Sequence, residues 1–216
     1  VLISGIAVLV SWIGLGNHPA YQVPELSISS SLIVWSFTAG PILAIAGNYF
    51  MRAASYAKSK AQVNWQTPVL CFLDFTLLGI LAVYFPALLG NGKSAAALEF
   101  NSDIGLGLTA CLLFLRVLMT LFTLRAGAYG GVLTPSLANG ALLGVLLGIL
   151  WNLIWPSNIA LGSFAIIGAT AFLASAQKMP ITAVILIFEF TRVGPGFLMP
   201  VLLAIFSTFI VVRKLR

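Results

Sequence analysis

Long apolar runs, broken by short clusters of glycine, proline and polar residues, recur along this chain of 216 residues. Their lengths predict helices that cross or enter a membrane. Residues 1–15 form an apolar run around Trp12 that ends at Gly16-Asn17-His18-Pro19. It is short for a span of about 20 residues. A polar connection over 17–31 leads to a second helix at 32–57, with an interruption at Gly40-Pro41 and amphipathic character after Asn48. The basic residues at its tail, Arg52, Lys58 and Lys60, place that end on the cytoplasmic side by the positive-inside rule. Residues 68–89 form a third apolar segment with Asp74 near its start, closed by Gly90-Asn91-Gly92-Lys93.

The piece at 94–100 is too short to cross at about 1.5 Å per residue and reads as a re-entrant or interfacial turn. A full span follows at 105–124 with Arg116 inside it, and then a stretch over 125–152 that runs from a glycine-rich turn into an apolar helix. After Trp155-Pro156-Ser157-Asn158 come three runs at 161–175, 181–192 and 197–212, each shorter than a full crossing. Short hydrophobic segments interrupted by glycine and proline are the pattern of broken helices whose freed backbone faces protein or a wet cavity. The expected fold class is an all-α integral membrane protein of about eight or nine tilted, partly re-entrant helices. No internal repeat stands out.

Composition excludes the soluble alternatives. With 60% hydrophobic residues, 7% charged residues and a mean hydropathy of +1.07, no soluble core is consistent with so little solvated surface. The net charge of +6 comes from Lys and Arg at segment ends, where snorkelling and topology account for it, so no nucleic-acid partner is expected and the partner is the lipid bilayer. Cys71 and Cys111 lie in apolar runs and read as free thiols. No Cys/His cluster supports a zinc site, and neither cofactor nor metal is expected. The start at Val1, without a basic n-region or cleavage site, reads as an interior cut of a longer protein.

The chemistry concentrates at Gly130-Gly131-Val132-Leu133-Thr134-Pro135. Pro135 suits a first helical turn, and the glycines permit positive φ or close backbone approach. The N–H groups of Val132, Leu133 and Thr134 are then free to face an anion at the positive end of a helix dipole. On pattern alone, a plain Gly/Pro loop between helices fits equally well. Glycines 140, 144 and 148 make two G-x-x-x-G steps, read mainly as close helix packing. Arg116 is read first as a structural arginine satisfying helix-end carbonyls, with function as the alternative. Glu189, followed by Thr191 and Arg192, suits a local ion pair or a helix-end contact. Asp74 is read in the same way, since a proton-relay role for either needs a second carboxylate on a wet path. His18 reads as a loop histidine. Ser136 lacks the surroundings of a hydrolase nucleophile, so the chain is read as no enzyme.

Gly131-Val132-Leu133-Thr134-Pro135 resembles the Gly-x-Phe-x-Pro motif of the CLC chloride channel and transporter family, with Leu133 in place of the usual Phe. Further pieces carry the resemblance in order: Tyr84-Phe85-Pro86 through Gly90-Asn91-Gly92, the Arg116 span, Phe164 to Ala174, and Met179-Pro180-Ile181-Thr182-Ala183 running to Glu189. The resemblance implies chloride conduction or chloride/proton exchange, with the anion held at Gly131, Val132, Leu133 and Thr134. It also implies a C-terminal portion of the membrane domain, and a homodimer formed through 1–15, 181–192 and 197–212. The expected location is a bacterial inner membrane.

The family's Gly-Ser-x-x-Pro loop, its Gly-Lys/Arg-Glu-Gly-Pro motif and the late helix with a pore tyrosine are not found in these residues. One wall of an anion site is therefore expected here, and the choice between channel and exchanger stays open. A transporter of another anion and a membrane scaffold without transport are the remaining readings.

Overall fold

The computed structural model describes residues 28–61, 64–89, 105–128, 130–156 and 159–214, with isolated positions at Val10, Gly14, Tyr21, Val23, Leu26 and Ala96. The elements expected at 1–15 and 94–100, and the loop around His18, lie outside the described residues. Among the described residues the chain is helical without strands: α1 Ser30–Ser59, α2 Thr67–Tyr84, a 3-10 turn Pro86–Leu88, α3 Leu106–Ala126, α4 Leu133–Ile154, α5 Leu161–Gln177, α6 Pro180–Thr191, a second 3-10 turn Pro195–Phe197, and α7 Leu198–Lys214. Among the described residues, five segments are long and apolar enough to cross a membrane: α1, α2, α3, α4, and α7 with the turn before it. The all-α membrane architecture read from the sequence is the architecture observed.

The bundle is built around α5. Every residue from Gly162 to Ala176 is buried, so this short helix is apolar on all faces because it meets protein on all faces. It packs on α4, α1, α6 and α7. In lipid, apolar tails compete with apolar side chains, and helices associate through close contact and not through expulsion from water. The glycines of α4 supply that contact. A Cβ on Gly140 would lie 2.8 Å from the Gly168 carbonyl oxygen, and one on Gly144 would lie 2.9 Å from the Gly168 Cα. Gly148 faces the Phe164 ring in the same seam, and Phe164 in turn meets Trp35 of α1 edge-to-face, at 4.5 Å between centroids. The packing role read for the G-x-x-x-G steps is therefore borne out, and its partner surface is Phe164, Gly168, Ala169 and Phe172.

One expectation fails. The helix at 32–57 is not interrupted at Gly40-Pro41, because α1 runs 30 residues straight through Pro41. Proline inside a helix removes a hydrogen bond, but neighbouring helices in a membrane can supply substitutes. Here α7 packs against the turn. The Gly40 carbonyl accepts from Thr208 Oγ1 at 3.2 Å, and a Cβ on Gly40 would come within 2.6 Å of the Ala204 carbonyl oxygen. A second cross-helix bond, from Ser175 Oγ to the Ala44 carbonyl at 2.8 Å, ties α1 to α5. At the start of α1, the Ser29 hydroxyl accepts from the Leu32 N–H at 3.2 Å and caps the first turn.

The α4–α5 seam can be tested directly. Gly144→Ala is expected to destabilise the protein by about 1–3 kcal/mol through overpacking. Gly79→Ala, whose Cβ would meet nothing within 4 Å, is expected to add up to about 1 kcal/mol through helix propensity. Thermal unfolding in detergent compares the two.

Candidate functional site

Helix α3 ends because Gly127 takes a left-handed conformation, with φ of 94°. Its N–H donates to the Leu124 carbonyl at 3.3 Å, and the Ala128 N–H donates to the Thr123 carbonyl at 3.2 Å. This is a Schellman closure, which a residue with a Cβ would strain. The left-handed position thus falls at Gly127, whereas Gly130 and Gly131 border open space, with nothing within 4 Å of an added Cβ at either. The chain then enters α4 at Leu133, with Val132 as an N-cap that offers no side-chain bond.

The first turn of α4 leaves three N–H groups over. The Ser136 N–H reaches the Val132 carbonyl at 3.0 Å and closes the first helical bond. Pro135 has no N–H, and those of Val132, Leu133 and Thr134 lie before the first closed turn, where helix geometry offers no acceptor. Ser136 is buried, and its Oγ donates to the same Val132 carbonyl at 2.6 Å, which is the local bond of a helix start. Gly131 and Val132 line a cavity of about 200 Å³ with Phe75 and Leu78 of α2, Leu88 of the first 3-10 turn, and Arg116, Met119, Thr120 and Thr123 of α3. Leu133 does not line it, because its side chain packs against the main core. Thr134 is half-buried in the turn behind.

Arg116 supplies the charge of this cavity. It is 5% exposed. Its Nη1 donates to the Ala87 carbonyl at 3.3 Å, as the structural reading anticipated, yet its buried Nε has no partner among the described residues. Thr120 Oγ1 donates back to the Arg116 carbonyl at 2.7 Å. The charge also reaches the segment before α1. Burial pushes the Tyr21 phenol above its ordinary range, and Arg116 pulls it the other way. Tyr21 is held there by its N–H on the Phe190 carbonyl, at 2.9 Å, and by edge-to-face contact with the Phe190 ring.

Asp74 is buried between α2 and α3, where its Oδ2 accepts from Thr123 Oγ1 at 2.8 Å. Thr120 and Thr123 were not singled out in the sequence, although positions 116, 120 and 123 share one helix face at intervals of four and three. Glu189 is exposed on α6 and does not line the cavity. Cys71 and Cys111 are free, half-buried thiols, and the described residues contain no group of three or more metal-ligating side chains.

The family model described as "Voltage gated chloride channel" matches residues 1–213. The chain belongs to this family. Among its relatives is the H(+)/Cl(−) exchange transporter ClcA of Vibrio cholerae serotype O1, 31% identical over 183 residues, covering 81% of this chain and 38% of the relative. The ClcA of Cronobacter sakazakii is 34% identical over 114 residues, covering 52% of this chain and 24% of its own length.

Two crystal structures share the fold. A slow cyanobacterial Cl−/H+ antiporter superposes with a TM-score of 0.86 at 22% identity, over 98% of this chain and 50% of that one. A CLC-type fluoride/proton antiporter gives 0.71 at 19% identity, over 96% and 51%. This family member therefore spans about half, or less, of the length of the relatives it matches.

The open surroundings of Gly131 generate a test. Gly131→Ala is expected to change stability by less than about 0.5 kcal/mol, measured by the same thermal unfolding. A loss as large as that of Gly144→Ala would make this glycine part of the packing.

Proposed function

We propose that this chain contributes one wall of a pathway that moves chloride or a similar anion across a bacterial inner membrane, as a C-terminal portion of a CLC-type membrane domain. The carrying observation is the meeting of two kinds of positive potential at one cavity. One is the start of α4, with the N–H groups of Val132, Leu133 and Thr134 left over behind Gly131. The other is the buried Arg116, whose Nε has no partner among the described residues. A helix N-terminus carries roughly half a unit charge, enough to replace part of an anion's water shell without the slow release of a direct ion pair. The relatives named as proton/chloride exchangers favour exchange.

Chloride titration followed by solid-state NMR of the protein in lipid tests this reading. The amide signals of Val132, Leu133 and Thr134 are expected to move most. Arg116→Gln is expected to weaken chloride binding about tenfold, the worth of one charged hydrogen bond. Shifts centred elsewhere, with affinity unchanged in the variant, would remove the anion from this cavity.

We also infer a homodimer that uses α6, α7 and residues 1–15. Among the described residues, Ile181 and Ile185 of α6, and Leu202 and Phe206 of α7, are exposed, and α6 has only 12 residues, too short to cross at about 1.5 Å per residue. Such a helix is better covered by protein than by lipid. Ile185→Trp together with Leu202→Trp is expected to convert dimer to monomer in native mass spectrometry. An unchanged mass would place the contact on another face.

A further inference from the structure

We propose that Asp74 is a proton-binding site within the membrane, read out at the neighbouring cavity through the hydroxyl of Thr123. An ionisable side chain inside a span is costly and calls for a role. Asp74 sits in the interior of α2 and is 8% exposed. Among the described residues, its Oδ1 has no hydrogen-bond partner and is shielded from solvent.

The donor count around it is uneven. Thr123 Oγ1 lies 2.8 Å from Asp74 Oδ2 and 2.8 Å from the Met119 carbonyl oxygen. A threonine hydroxyl carries a single hydrogen, so with an ionised Asp74 it serves one acceptor or the other. A proton on the carboxyl removes the shortage. Asp74 then donates to Thr123 Oγ1, and Thr123 donates to the Met119 carbonyl, both at the distances already present. The two protonation states thus share one arrangement of heavy atoms and differ in the direction of the Thr123 O–H.

That direction matters because Thr123 lines the cavity of Arg116, Gly131 and Val132. Asp74 itself opens to a separate cleft of about 400 Å³, lined also by Leu70, Leu77 and Arg125. Water there would supply and receive the proton, which passes between a hydronium ion and the carboxylate with no other bond changed. Arg125 Nη1 donates to the Lys60 carbonyl beyond the end of α1, so the cleft reaches a polar margin of the bundle.

Among the described residues, the other titratable groups around Asp74 are few. Helix α3 brings Arg125 to the cleft and Arg116 to the cavity. The Cys71 thiol of α2 donates to the Ala126 carbonyl at 3.6 Å, and the 3-10 turn Pro86–Leu88 has no titratable side chain. Cys111 stands about 18 Å back along α3. The proton site stands on Asp74 and Thr123 alone, whereas its effect on an anion rests on the function proposed above.

Infrared difference spectra of the full-length protein in lipid, between about pH 5 and pH 8, test the site. A carboxylic acid C=O band that grows as pH falls is expected, lost in Asp74→Asn and displaced in Thr123→Val. If Asp74→Asn does not fold, the displacement in Thr123→Val, which keeps the carboxyl in place, decides. A band unaffected by both changes, or no titrating band, overturns the proton site, whatever the fate of the anion reading.

Chloride affinity measured by calorimetry across the same range tests the link. A change of about fivefold or more is expected, abolished in Asp74→Asn and in Thr123→Val. Chloride that binds the wild type with affinity independent of pH overturns the link while leaving the infrared result to stand. Chloride that does not bind the wild type sinks the link along with the anion cavity it rests on.

Discussion

The structure depends on how closely the backbones of α4 and α5 approach. Gly140, Gly144 and Gly148 face Phe164, Gly168 and Phe172 at distances that leave no room for a methyl group. In water such a seam would add to a large hydrophobic term. In lipid the apolar term between helices largely cancels, and dispersion at close range is what remains. The seam holds α4 to a helix that is buried from Gly162 to Ala176, and this makes the N-terminus of α4 a fixed point in the bundle. A dipole can favour an ion only where it is held in place, so the packing of Gly144 and the potential at Gly131 belong to one physical argument.

Near that fixed point, α3 carries the buried arginine and two threonines of the cavity wall. Arg116, Thr120 and Thr123 lie along one stripe, and two of them reach other elements: Arg116 the Ala87 carbonyl of a 3-10 turn, and Thr123 the Asp74 carboxylate of α2. The low dielectric makes each such pairing matter more than it would in water. It also makes each missing partner informative. Among the described residues, Arg116 Nε and Asp74 Oδ1 are both buried without one; Arg116 lines the cavity, and Asp74 is bonded to Thr123 of its wall.

Much of this was legible in the order of residues. Run lengths and the Gly/Pro breaks located the described helices to within a few residues, because a bilayer demands about 20 apolar residues per crossing and tolerates little else. The G-x-x-x-G steps announced a seam, since only small residues allow such an approach. Where sequence reasoning went wrong, at Gly40-Pro41, a local rule met tertiary packing: Thr208 adds a hydrogen bond to the Gly40 carbonyl and Ala204 sits close against it, from 164 or more positions away.

By itself, the sequence determined a membrane-embedded helical chain with a glycine-rich helix start at 130–135, since apolar length, helix breakers and the missing N–H of Pro135 are properties of neighbours along the chain. Only the tertiary structure decided what that helix start faces. Thr123 is an ordinary residue in an apolar run until α2 brings Asp74 within 2.8 Å of it. Arg116 reaches the Ala87 carbonyl and lines a cavity with Val132 only because the fold brings these elements together. These meetings join residues from 16 to 49 positions apart, and no periodicity records them, because the energy that selects them comes from the packing of separate helices.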